Sequence, residues 1–251
     1  SVNESIIDPL KYWDFNVYGT INLLKTMESF NCTNIVFSST ATIYGNDYNF
    51  PIKEDLKKNP ISVYGRTKLS VEQILNDLQN SENDKWRVAI LRYFNPIGAH
   101  PTGLIGECST SNKNNLFPKL CDVAHGRINK LEIYGNNWPT PDGTAIRDYV
   151  HIMDITDAHL SALDYLQRSQ PQIINLNLGS GEGTSVLQLI KIFEVSNDVK
   201  INYIFKERRK GDSAYLTASI QKAKKVLNWE PLRTKNQMCK DGWNWYLKNL
   251  V

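Results

Sequence analysis

The chain has 251 residues and a formal net charge of +3, from 29 lysines and arginines against 26 aspartates and glutamates. Hydrophobic residues at 41% and charged residues at 22% are ordinary globular usage, which excludes a disordered or collagen-like chain. So even a charge balance gives no electrostatic reason for a nucleic-acid or membrane partner, and no apolar run reaches the ~18 residues of a membrane span. Cys32, Cys108, Cys121 and Cys239 are too few and too scattered for a disulfide framework or a CxxC metal site. A reducing, cytoplasmic setting is therefore expected.

Residues 1–30 carry a helical pattern, with Ile6, Ile7, Leu10, Val17, Ile21, Leu24 and Met27 at intervals of about three or four. A short apolar strand over 34–38 follows and runs into a Ser/Thr cluster. The loop 45–60 holds Gly45, Pro51 and Pro60. Asn59-Pro60 blocks a helix, Ser62 is the expected N-cap, and Val63 to about Asn80 reads as a long helix with Leu69, Ile74, Leu75 and Leu78 on its apolar face. Trp86–Tyr93 is a second strand, and strand–helix–strand implies a parallel sheet with right-handed crossovers. The Gly/Pro-rich stretch 96–115 marks a boundary or a substrate loop. Beyond it the pattern predicts a helix over 116–126, a strand over 131–134, an irregular segment over 135–146 and a helix over 154–168. A strand over 173–178, a helix over 184–195, a strand over 201–205 and helices over 219–228 and 235–248 complete the reading. The chain opens in the middle of a βα series, so an N-terminal portion of the domain is expected to precede Ser1.

The most informative stretch is Ser38-Ser39-Thr40 at a strand end, followed by Tyr64-x-x-x-Lys68 opening a helix. Residues at this spacing share a helical face. An ammonium beside a phenol favours the phenolate, so Lys68 is expected to bring the Tyr64 pKa down towards neutrality and make it a general base. The hydroxyls sit where α/β sheets bind ligands. The bare Tyr/Lys spacing is common by chance; its setting makes it specific.

Other features read more plainly. Gly179-Ser-Gly-Glu-Gly183 mimics a dinucleotide loop but lacks its third glycine and reads as a structural turn. His151, Asp154, Asp157 and His159 lack the spacing of a helical zinc site, and Asp154 is a candidate N-cap. Lys222, Lys224 and Lys225 read as a solvated face, the tryptophans as packing residues, and Cys32 and Cys121 as small core residues.

Five motifs in order resemble those of the UDP-glucose 4-epimerases, in the extended short-chain dehydrogenase/reductase family. They are Ser38-Ser-Thr-Ala-Thr-Ile-Tyr-Gly45, Tyr64-Gly-Arg-Thr-Lys68, Leu91-Arg-Tyr-Phe-Asn-Pro-Ile-Gly-Ala-His100, Asp142-Gly-Thr-Ala-Ile-Arg-Asp-Tyr-Val-His151 and Arg208-Arg-Lys-Gly-Asp212. The resemblance implies an α/β fold: a Rossmann-like parallel sheet, its first strands missing, with a smaller C-terminal α/β substrate domain. Residues 1–95 would be the remaining part of the NAD-binding domain and 96–251 the UDP-sugar domain, with some segments packing back on the Rossmann sheet. No Gly-rich phosphate loop precedes Ser38, so the chain is expected to lack ~80–90 N-terminal residues of the nucleotide unit.

The implied activity is NAD-dependent interconversion of UDP-galactose and UDP-glucose through transient oxidation at sugar C4. Thr40, Tyr64 and Lys68 would be catalytic. Tyr64 would remove the 4-hydroxyl proton, Lys68 would hold the nicotinamide ribose, and the C4 hydride would pass to NAD and return on the other face of the sugar. Asn16, Thr40, Tyr64, Lys68 and Phe94 would contact NAD, although Phe15 replaces a second asparagine that many relatives carry. Thr40, Asn95, Asn115, Leu116, Tyr134, Arg147, Arg209 and Asp212 would contact the UDP-sugar. Leu216, or Tyr215, would set the room for a 2-substituent. A homodimer through helices near 9–30 and 63–80 is implied, and no metal. The alternatives are another UDP-sugar 4-epimerase (N-acetylhexosamine or uronic acid), or an inactive fragment unable to hold NAD. A 4,6-dehydratase is disfavoured, because those enzymes carry Asp-Glu after the catalytic hydroxyl and Ala41-Thr42 stand here.

Overall fold

A computed structural model describes residues 2–46, 50–81, 85–107, 115–209 and 211–249. In chain order the elements are α1 (Val2–Ile7), α2 (Pro9–Trp13), a π-helical turn (Asp14–Tyr18), α3 (Gly19–Ser29), β1 (Asn34–Thr40), a 3-10 turn (Ala41–Tyr44), α4 (Val63–Ser81), β2 (Arg87–Tyr93) and β3 (Asn95–Ile97). Then come α5 (Leu116–Ala124), β4 (Leu131–Tyr134), β5 (Ile146–His151), α6 (Ile152–Arg168), β6 (Gln172–Leu178), β7 (Gly183–Ser185) and α7 (Val186–Asn197). β8 (Tyr203–Lys206), β9 (Tyr215–Leu216), α8 (Gln221–Leu227) and α9 (Lys235–Lys248) complete the fold. The chain divides into two compact units: Ser1–Tyr93, Asp157–Leu178 and Ser219–Trp229 form one, and Phe94–Thr156, Gly179–Ala218 and Glu230–Val251 the other.

In the first unit β1, β2 and β6 form a parallel sheet in that order, with Thr40 opposite Tyr93 and Tyr93 opposite Leu178 at the carboxyl ends. Leu24 of α3 and Val71 and Leu75 of α4 pack on Trp86, Val88 and Ile90. The inward face of α4 also carries a charge, Glu72. Its carboxylate takes the Arg92 guanidinium through Nη2 at 2.7 Å and Nε at 3.0 Å, and the Ser39 hydroxyl at 2.6 Å. Arg92 Nη1 donates on to Tyr44 Oη at 2.8 Å, and Tyr44 donates to Asn177 Oδ1 at 2.7 Å. This buried network joins α4, all three strands and the 3-10 turn, and its members satisfy one another, as burial of such groups requires.

The N-terminal helix is not one helix. Proline cannot continue a helix but suits its first turn, so α2 restarts at Pro9, with the Asp8 carboxylate accepting from Lys11 N at 3.3 Å. Ile6, Ile7 and Leu10, expected on a buried face, are exposed. Cys32 is exposed too, while Cys121 and Cys239 are buried; Cys108 lies outside the described residues.

In the second unit β5 pairs with β3 and β9 in parallel and with β7 antiparallel, and β4 pairs with β8. Phe117, Leu120, Leu131, Ile133, Tyr149, Leu189, Phe193 and Met238 are among its core residues. β5 lacks an apolar signature because Arg147, Asp148 and His151 fall within it. Asp148, fully buried, is tolerated because Ser180 N, Ser180 Oγ, Gly181 N and Ala218 N all donate to its carboxylate, at 2.5–3.1 Å. The Gly179–Gly183 segment is thus a turn held by Asp148. Asp154 is not an N-cap, since α6 already begins at Ile152; its carboxylate accepts Leu232 N, Arg233 N and Arg233 Nη1. Among the described residues no His/Cys/Asp/Glu group could hold a metal ion, and no helix is long and apolar enough to cross a membrane.

Candidate active site

The first unit gathers Thr40, Tyr64 and Lys68. Thr40 ends β1 and caps the following 3-10 turn, its hydroxyl accepting from Thr42 N at 3.2 Å. The Thr42 hydroxyl, which the motif reading passed over, lies 3.2 Å from the same atom. α4 starts where the sequence places it: Ser62 Oγ accepts from Gly65 N at 3.0 Å. Gly65 keeps the approach close: a Cβ there would stand 3.0 Å from both Pro60 Cβ and Thr42 O, tighter than ordinary packing. This close approach brings the helix start, and with it Tyr64, against the turn that Thr40 caps.

Lys68 lies one helical turn on, but its Nζ donates to Ser38 O at 3.1 Å and sits 5.0 Å from the Phe37 ring centre and 5.9 Å from that of Tyr64. The expected lowering of the tyrosine is therefore reversed in the chain by itself. Burial pushes the Tyr64 phenol up, the Thr40 hydrogen bond offsets this only in part, and burial lowers Lys68. Asn16 sits in the π-helical turn, a feature frequent at functional sites. Its Nδ2 donates to Thr67 Oγ1 at 3.0 Å, and Thr67 donates to Tyr64 O at 2.8 Å, so Asn16 is tied to the helix that carries the tyrosine.

The second unit gathers Tyr134, Arg147, Arg209 and Asp212. The Arg209 guanidinium lies 4.4 Å from the Tyr134 ring centre and its Nε donates to Asp212 Oδ2 at 3.2 Å. Arg147 Nη2 is 4.0 Å from Asp212 Oδ1, and Nη1 is anchored on Ile146 O and Ser213 O, each at 2.9 Å. Leu216 is half-buried in register with Arg147, whereas Tyr215 points its hydroxyl to Pro139 O at 3.1 Å. Asn95 Oδ1 is buried with no hydrogen-bond partner. Phe94 is buried. Asn115 is exposed with Nδ2 on Glu107 at 3.0 Å, and Leu116 opens α5.

A family model described as GDP-mannose 4,6 dehydratase matches residues 1–242. The UDP-glucose 4-epimerase of Bacillus subtilis (strain 168) is 44% identical over 250 residues, covering 100% of this chain and 73% of that protein. A bifunctional UDP-glucose 4-epimerase and UDP-xylose 4-epimerase of Arabidopsis thaliana is also 44% identical, over 99% of this chain and 71% of that protein. The chain belongs to the UDP-glucose 4-epimerase family. Among solved structures, the Bifidobacterium longum UDP-glucose 4-epimerase in complex with NAD+ and UDP matches with a TM-score of 0.92 and 40% identity, over 99% of this chain and 74% of that one. The Stenotrophomonas maltophila epimerase with bound NAD and formylated UDP-arabinopyranose matches with a TM-score of 0.96 and 42% identity, over 99% and 73%. No carboxylate follows Thr40: Ala41 is buried and the Thr42 hydroxyl lies against that of Thr40.

Sequence reasoning missed the buried Glu72, Arg92 and Tyr44, whose network ties α4 to the end of β1, and Asp148, which holds the Gly179–Gly183 turn. A charge at an apolar-face position of a long helix, as Glu72 is, was the available signal.

Proposed function

We propose that this chain interconverts UDP-galactose and UDP-glucose, with NAD as its resident cofactor. The observation that carries the reading is the grouping of Thr40, Tyr64 and Lys68 at the carboxyl end of a parallel sheet, in a chain 44% identical to named epimerases. The donor set fits the cofactor: the Lys68 ammonium commits one of its three N–H donors to Ser38 O and has others for a ribose diol. Asn16 and Phe94 are the further residues proposed to hold it.

When bound, NAD supplies the acceptor and donor of the C4 hydrogen. Tyr64 Oη takes the proton from the sugar 4-hydroxyl and returns it, with the Thr40 hydroxyl orienting the exchange. Burial holds Tyr64 in its phenol form, so the phenolate needs positive charge nearby. Lys68, its ammonium 5.9 Å from the ring centre, is the chain's own source. Arg147 and Arg209 suit the diphosphate, because a guanidinium fork meets phosphate oxygens in pairs. Asp212 suits a ribose diol, and the buried, unpartnered Asn95 Oδ1 offers an acceptor to a substrate hydroxyl. Tyr134, Asn115 and Leu116 complete the proposed substrate set, and Leu216 bounds the sugar 2-position.

We further place the protein in the cytoplasm, on the free thiols of Cys32, Cys121 and Cys239, and as a homodimer, on the exposed Phe15, Tyr18 and Leu23 of the segment 9–29. Light scattering on the purified protein tests the dimer. Chromatographic conversion of UDP-galactose in the presence of NAD, abolished by Tyr64→Phe, tests the function. NAD bound without turnover of hexose, N-acetylhexosamine or uronic forms would refute it.

A further inference from the structure

The chemistry above does not account for α1 and α2, which lie against the start of α4 at Tyr64. Ser5 of α1 has no exposed surface; its hydroxyl donates to Val2 O at 2.6 Å and accepts from the Tyr64 backbone N–H at 3.1 Å. Tyr64 is the second residue of its helix, so this N–H has no partner within the helix. Ser62 serves the next two, its Oγ taking Gly65 N and its carbonyl Arg66 N, each at 3.0 Å. Ser5 therefore caps from outside the one position that carries the phenol.

The same segment also meets the ring. Tyr12 of α2 stands edge-on to Tyr64, with ring centres 6.4 Å apart and planes at 87°. The Tyr12 hydroxyl donates to Glu4 Oε2 at 3.1 Å, and Lys11 holds Glu4 Oε1 at 2.8 Å. Apolar burial does not explain the docking: Ile6, Ile7 and Leu10 are exposed, and α2 buries no residue. Two of its contacts, the serine hydroxyl and the tyrosine ring, act on one residue.

We propose that the α1–α2 segment is a positioning clamp for Tyr64, in which Ser5 fixes its backbone and Tyr12 fixes its ring, so that the phenol keeps one orientation at the start of α4. Ser5 and Tyr12 are positioning residues, and the proposal rests on Tyr64 being the reacting phenol.

The test is a pH titration of tyrosine ring-carbon resonances in the full chain, with Tyr64 assigned through Tyr64→Phe. In Ser5→Ala and Tyr12→Ala the Tyr64 ring gains solvent, and its titration drops towards the ordinary value of 10.0, while Tyr44 and Tyr93 keep values of about 12. Tyr12→Phe keeps the ring wall and the original Tyr64 titration. An unmoved Tyr64 in both alanine variants, or all three tyrosines shifting together, overturns the clamp. In turnover, Ser5→Ala lowers kcat about tenfold with KM for UDP-galactose unchanged; a rise in KM alone also overturns it. If the unaltered chain does not convert UDP-galactose, the functional reading fails and the resonance titration still decides the clamp.

Discussion

Replacing Arg92 by Met removes the cation from a buried network and leaves its partner behind. The Arg92 and Glu72 side chains are 2% and 4% exposed, and two of the arginine nitrogens reach the carboxylate, at 2.7 and 3.0 Å. Arg92 Nη1 also serves Tyr44 Oη at 2.8 Å and Glu54 O at 3.0 Å. Removing one partner of a buried pair costs about 3–5 kcal/mol, because the remaining charge stays desolvated. The acceptors left on Tyr44 and Glu54 add about 1 kcal/mol. Arg92→Met should therefore lose about 4–6 kcal/mol, a large share of the roughly 5–15 kcal/mol typical of a folded protein. Urea unfolding followed by tryptophan fluorescence measures it, since Trp86 in this unit is fully buried. At a slope of about 2 kcal/mol/M the midpoint falls by about 2–3 M. Adding Glu72→Leu removes the stranded charge and should recover part of the loss. A loss under about 1 kcal/mol, or a double variant no better than Arg92→Met, would refute the argument.

Gly65→Ala ought to stabilise an ordinary helix interior by about 1 kcal/mol, but here its Cβ meets Pro60 and Thr42 at 3.0 Å; kcat should fall and the melting temperature should not rise, and a more stable, fully active variant would contradict the packing. Arg209→Lys keeps the charge but loses the planar fork, so KM for UDP-galactose should rise about tenfold with kcat little changed; an unchanged KM would remove Arg209 from the substrate set. Burial raises Asp148 above its ordinary 3.8, despite the donors around it. Because the folded state then holds its proton to higher pH, the associated stability is complete below 3.8 and lost as pH rises through the folded value. Asp148→Asn should lack that decline in unfolding free energy measured against pH, and a profile identical to that of the unaltered chain would count against it.

Much of the first unit was legible in the sequence because its signals are local. Asn59-Pro60 with Ser62 marks the start of α4, and the cap is made by an atom three residues from its partner. α9 begins at Lys235 and ends at Lys248, as its pattern predicts, with Thr234 Oγ1 capping Gln237 N. The second unit was read less well. β3, β7 and β9 have three, three and two residues, too short to show a period. β5 hides behind Arg147, Asp148 and His151, whose burial depends on distant partners.

What the sequence determined by itself was the βα order, the helix starts and the motifs that mark Thr40, Tyr64 and Lys68, since propensity, capping and spacing act within a turn or two of the chain. The tertiary structure decided how those groups are tuned. Whether Tyr64 rises or falls depends on its burial and on where the Lys68 ammonium goes, and that ammonium goes to Ser38 O, 30 residues away. Asp148 is made tolerable by Ala218 N, 70 residues on, and Tyr64 is capped by Ser5, 59 residues before it. The cost of burying a charge or a backbone donor is set by whichever groups folding brings beside it, and no local pattern encodes those neighbours.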